Sequence, residues 1–213
     1  MIELLVLTLF LSPPLLAPNA AEWIFEDHLG YAVQAPTPLT LRQNGEPDLK
    51  LTARYDTDSF TTPPYWAMRT GAWQDGDGWE VELIHLKVSL RNKQPEVENF
   101  AISHGHNMLY VNRAWAWDRC VFRVGAGPTI LHPEVKLRGL QHNESSGFLN
   151  MGYQIGGAAA QIAGQYRTPL FHRVHLSAEF KIFASYSVAR FDSGSADVPL
   201  MGMQTNLGLR YRF

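Results

Sequence analysis

Two stretches of this sequence place serine and histidine at the spacing of an extended strand. In FAISHGHNMLYVNRAWAW, residues 100–117, Ser103, His104 and His106 fall within four positions, and His85 lies on the preceding extended segment. Further on, His175, Ser177 and Glu179 follow one another at every second residue. Residues i, i+2 and i+4 of a strand share a face. Either group could therefore present a serine nucleophile to an imidazole base, with a carboxylate to orient the ring, as hydrolysis requires. A metal site needs three or four ligands, and two histidines on one strand supply only one edge of it. No metal and no other cofactor is expected. The commoner use of such side chains is structural hydrogen bonding, so no enzymatic activity is assigned from them.

The elements that carry these residues alternate with period 2 nearly everywhere after residue 48. In 201–213 one face holds Met201, Met203, Thr205, Leu207, Leu209, Tyr211 and Phe213, and the other holds Gly202, Gln204, Asn206, Gly208, Arg210 and Arg212. The segment from Val174 to Val188 repeats this pattern and exceeds the roughly 9 to 11 residues that cross a hydrocarbon layer. The pattern predicts eight strands, at 49–57, 64–74, 79–91, 99–117, 120–132, 153–168, 173–190 and 201–213. Tight links at Asp75-Gly76-Asp77-Gly78, Asp118-Arg119 and 169–172 alternate with longer ones at 58–63, 92–98, 133–152 and 191–200. Short turns on one side and longer loops on the other suit an all-β, up-and-down antiparallel transmembrane barrel. The mixed polarity of 99–117 calls for a bulge near Gly105.

The chain has 213 residues and a net charge of −2, which makes no case for nucleic acid. No apolar run after residue 21 reaches the length of a spanning helix. The single cysteine, Cys120, excludes an internal disulfide framework. Residues 1–21 read as a secretory signal peptide, with an apolar stretch followed by Pro13, Pro14 and small residues. Residues 22–48, interrupted by Pro36, Pro38 and Pro47, are expected to form a periplasmic or plug-like segment, with 39–42 pairing 49–55 around Asn44-Gly45-Glu46-Pro47. The barrel is expected to occupy 49–213.

Eight strands enclose a lumen only wide enough for side chains. Buried charge must then be paired, so Arg54, Arg69, Arg113, Arg123, Glu80, Glu82, Glu179 and Lys181 are expected to form a lumen network. Lys50 and Arg212 are also expected to face inward. Trp73, Trp79, Trp115, Trp117, Tyr166 and Tyr211 are placed at the strand ends near the short turns, as an interfacial girdle.

The ending NLGLRYRF, with the strand and turn spacing, resembles the small eight-stranded outer-membrane barrels of the OmpA, OmpW and opacity-protein kind. This resemblance implies a monomer in the outer membrane of a Gram-negative bacterium, exported through the periplasm, in contact with membrane lipid and lipopolysaccharide. Leu209, Tyr211 and Phe213 resemble the signal read by the barrel-assembly machinery. His175-Leu176-Ser177 with Glu179 is similar to the His-x-Ser pair of the PagL-type lipid A deacylases, although the short 169–172 link puts it at the periplasmic end. Three functional readings follow. The first is a structural or surface-interaction role through the outer loops, above all 133–152. The others are a small transporter of apolar molecules and a lipid A or phospholipid acyl hydrolase.

Overall fold

The computed structural model describes residues 21–102, 105–142 and 152–213. The signal-peptide assignment, apart from residue 21, lies outside these residues. In chain order the strands are β1 (Glu22–Gln34), β2 (Thr37–Gln43), β3 (Leu49–Ala53), β4 (Tyr55–Asp56), β5 (Trp66–Gln74), β6 (Asp77–His85), β7 (Val88–Leu90) and β8 (Val97–Ile102). They continue as β9 (His106–Trp117), β10 (Cys120–Leu131), β11 (Glu134–Leu137), β12 (Leu140–His142), β13 (Gln154–Phe171), β14 (Val174–Phe191) and β15 (Gly194–Arg212).

Eight of these strands form a closed antiparallel barrel in the order β1-β5-β6-β9-β10-β13-β14-β15, and β1 pairs with β15 to complete the ring. The barrel is therefore of the kind expected, but its first strand is not. Residues 22–48 are no plug: β1 runs beside β15 from Ile24↔Arg212 to Gln34↔Gly202. The reason is visible in the residues themselves. Ile24, Glu26, His28 and Ala32 turn inward, while Trp23, Phe25, Leu29, Tyr31 and Val33 are exposed on the outer face. Asp27 interrupts that apolar face, and the prolines lie beyond the strand's end, where they stop it.

Residues 49–57 belong instead to an outer extension. There β2 pairs β3 around the Asn44-Gly45 turn, as the sequence suggests, and Gly45 adopts a φ of 81° that favours glycine. The hairpin adds to the far end of β15 through Asp197↔Thr40 and its neighbours. A second sheet, β12-β11-β8-β7-β4, completes this head. The segments 79–91 and 99–117 are not single strands. Each breaks where the chain leaves the barrel wall for the head sheet, and in the second Gly105 sits at φ 121° between β8 and β9.

The segment 191–200, expected to be a long loop, is mostly strand. β14 and β15 join through the two residues Asp192 and Ser193, and β15 runs on for 19 residues. Its upper part turns Ala196, Val198 and Leu200 into the head's core. A single apolar cluster extends from Met108, Tyr110 and Phe183 in the upper lumen to Val88, Phe100, Val135 and Val198 in the head. The outer wall between the two ends is apolar on every barrel strand, with Met68, Val81, Val111, Phe122, Ile162, Phe180 and Met203 exposed.

Candidate functional site

Below the apolar cluster, the inward positions of β1, β5, β6, β10, β14 and β15 meet as one charged layer. Arg69 is its hub: Nη1 donates to Glu26 Oε2 at 2.7 Å, and Nη2 donates to Glu82 Oε1 at 2.7 Å and Glu179 Oε2 at 2.8 Å. Arg123 donates from Nε to Glu80 Oε2 at 2.7 Å and from Nη1 to Glu179 Oε2 at 3.1 Å. Lys181 bonds Glu82 and lies 3.1 Å from Glu179. Arg210 Nη1 approaches Glu26 at 3.4 Å. Four carboxylates thus meet four cations, and all are buried. The amides of Asn112 and Gln161 donate to Glu82 Oε2, and that of Gln165 is a second donor to Glu26 Oε2. Charges removed from water stay ionised only when paired and hydrogen-bonded like this. The arrangement braces the barrel and fills the lumen.

The expected network is therefore present for Arg69, Arg123, Glu80, Glu82, Glu179 and Lys181, but two members are misplaced. Arg54 is exposed in the head beside β3, where its backbone N–H donates to Asn92 Oδ1. Lys50 is exposed on β3 too. Arg113 faces the outside of β9, bonded to Asp77 and stacked over Trp79 and Trp115. Arg212 is exposed and paired with Glu22 at 3.0 Å. Glu26 was missed because it sits on the strand read as a plug, although its alternation with His28 was the available signal.

Among the described residues the candidate catalytic groups do not converge as spacing suggests. Ser177 meets His28, not His175: Ser177 Oγ lies 3.0 Å from His28 Nε2, and its hydroxyl also donates to the Gly208 carbonyl at 3.2 Å. Gly208 is required there, since a Cβ would stand 2.4 Å from His28 Cδ2. Glu26 approaches that same Nε2 at 3.8 Å, while Nδ1 has no hydrogen-bond partner. A carboxylate orienting the ring for proton transfer would sit on Nδ1. Glu179 is held by the arginines and Lys181. His175 lines the mouth of the lumen at the short-turn end.

In the other group, Ser103 and His104 lie outside the described residues. His106 is buried and pairs with Ser185 Oγ at 3.1 Å, whereas His85 Nδ1 meets Asn107 Oδ1 at 2.9 Å. Among the described residues no three His, Cys, Asp or Glu side chains group as metal ligands.

The lumen mouth is a cavity of about 460 Å3. Trp73 was expected in the girdle but is buried here, with Arg167 and Arg210 stacked over its indole at 5.7 and 5.1 Å. Leu209, Tyr211 and Phe213 stay on the outer face, and the Phe213 N–H donates to the Trp23 carbonyl at 3.0 Å.

At the opposite end the head is tied together by side chains. Arg138 and Gly139 both adopt positive φ in the two-residue turn between β11 and β12. From there Arg138 donates to Glu96 Oε1 at 3.2 Å, Gln43 Oε1 at 2.9 Å and the Pro47 carbonyl at 2.9 Å. His142 Nδ1 lies 2.9 Å from Ser193 Oγ, which fastens β12 to the β14–β15 turn. Residues 143–151, the rest of the expected interaction loop, lie outside the described residues.

No family model and no curated protein matches this sequence. Solved structures do. The outer membrane protein AlkL, determined in DMPC lipid bilayers, aligns over 95% of each chain at 11% identity with a TM-score of 0.50. Ail, the attachment invasion locus protein of Yersinia pestis, aligns over 91% of this chain and 99% of its own at 12% identity, with a TM-score of 0.40. Neisserial surface protein A aligns over 92% and 100% at 13% identity, with a TM-score of 0.41. All three are small eight-stranded outer-membrane barrels. At these identities the likeness establishes the fold, and AlkL carries that argument.

Proposed function

We propose that this chain is an integral outer-membrane barrel that acts through its outer head as a surface-interaction protein. One observation carries the reading: the interior is occupied from the charged layer through the apolar cluster, which continues into the head without a change of character. A chain that fills its lumen while fastening a second sheet above it with Arg138 and His142 has invested in an outward surface. The apolar outer wall and its exposed aromatic ends support insertion in a membrane.

The test replaces 138–151 with a Gly-Ser linker and compares attachment and autoaggregation of cells displaying either form. Loss of both with an unchanged heat-modifiable gel shift is expected. Unchanged attachment and autoaggregation would remove the interaction reading.

A second reading, passage of small apolar molecules, draws support from the apolar upper lumen lined by Met108, Tyr110, Leu131 and Phe183. It requires that core to part, and faster entry of the dye N-phenylnaphthylamine into expressing cells would favour it. The lipid hydrolase reading has no assembled triad behind it among the described residues. Mass spectrometry of lipid A from cells with and without the protein tests it directly.

A further inference from the structure

The outer wall carries a groove of about 790 Å3 across β10, β13, β14, β15 and β1. Its course follows two adjacent ladders of the register. One passes from Cys120 through Tyr166 and Ala178 to Leu207 and Leu29, and the other from Phe122 through Gly164 and Phe180 to Thr205 and Tyr31. Small residues make the floor, and Phe122, Tyr166 and Phe180 make the walls. At Gly164 an added Cβ would meet nothing within 4 Å, so the space there is open. Cys120 opens β10 at the short-turn end, and the other end is closed by Phe60, a head residue 80% exposed, stacked on Tyr31 with centroids 5.9 Å apart.

The two ends differ chemically. At the short-turn end, Arg119 Nη1 donates to the Tyr166 hydroxyl at 3.3 Å, which puts an exposed guanidinium beside the groove's mouth. The other end is lined by Leu29, Gly30, Tyr31 and Phe60, and Lys87, close to Phe60 in the head, is turned onto the Thr61 and Thr62 carbonyls at 3.0 and 3.2 Å.

We infer that this groove is a specific site for a phospholipid of the periplasmic leaflet, with one acyl chain lying over Gly164 between Phe122 and Phe180 and its phosphate on Arg119. The inference rests on the membrane reading above. A guanidinium next to a phenol suits a phosphate at headgroup depth, and an apolar channel leading from it suits the attached chain. Lipopolysaccharide would approach from the Phe60 end, where the described residues that line the groove include no cation.

The protein refolded into vesicles of phosphatidylglycerol and phosphatidylcholine, then extracted in mild detergent, is examined by native mass spectrometry. The wild type is expected to keep a bound phospholipid. Gly164→Phe, which fills open space, should lower its occupancy about tenfold, and Arg119→Ala should lower it several-fold. A wild type that emerges free of lipid, or a Gly164→Phe variant that retains lipid like the wild type, overturns the site. Unchanged retention in Arg119→Ala overturns the phosphate assignment. The heat-modifiable gel shift of each sample reads barrel insertion separately, so failure of the site and failure of the membrane reading give different results.

Discussion

Glu26 and Arg69 face each other across the β1–β5 pairing, 2.7 Å apart and both shut away from solvent. Through this contact the first strand joins the charged layer, and Arg69 also serves Glu82 and Glu179. Removing the hub leaves carboxylates buried without their main counter-ion. Arg69→Leu is expected to destabilise the barrel by about 3–5 kcal/mol, read as a fall in the urea midpoint of the gel-shifted form. Arg54→Leu, in the exposed head, should leave that midpoint in place.

Ser177 pairs with His28 in place of the His175 that spacing suggests. Ser177→Ala should cost about 1–3 kcal/mol, because it strips the shorter of the two hydrogen bonds of a buried imidazole, leaving only Gln165 Nε2 at 3.3 Å. His175→Ala, at the lumen mouth, should cost less. A larger loss at His175 would sink this assignment.

The outer hairpin should loosen in acid. Arg42, hydrogen-bonded to Asp197 at 2.7 Å, holds that carboxyl below the ordinary aspartate range. A depressed folded-state value means the contribution is present above the unfolded value of about 4 and is lost as pH falls through the folded one. Amide protection in β2 and β3, taken relative to the intrinsic exchange rate at each pH, should therefore fall below about pH 4, and Asp197→Asn should show the lower protection already at neutral pH.

Head and barrel should respond separately to mutation. Phe100→Ala empties a fully buried position in the head and is expected to cost about 3–5 kcal/mol there. Arg138→Ala releases the β11–β12 turn from Gln43, Glu96 and Pro47. Both should raise protease sensitivity and amide exchange in 134–142 while the gel shift persists. Loss of the gel shift would show the two parts to be one cooperative unit.

Much of the barrel was legible because a wall between an apolar exterior and a polar interior imposes period 2 on every strand. That alternation located β13, β14 and the lower half of β15, and the lumen partners Arg69, Arg123, Glu82 and Lys181 followed from the need to pair buried charge. It failed on β1, where Asp27 breaks the apolar face and nearby prolines suggested an irregular segment. It failed again above the barrel, because the inward face of 196–200 is apolar where the lumen below is polar, and alternation does not say which sheet a strand joins.

By itself the sequence determined which residues could face lipid and which could face a lumen, since side-chain direction in a strand is a local property of the backbone. Only the tertiary structure decided that β1 closes the ring, that Ser177 answers to His28 149 positions away, and that Arg54 and Arg113 stand outside the network. Those outcomes depend on which strands become neighbours and in what register, and register is set jointly by all eight strands when the barrel closes.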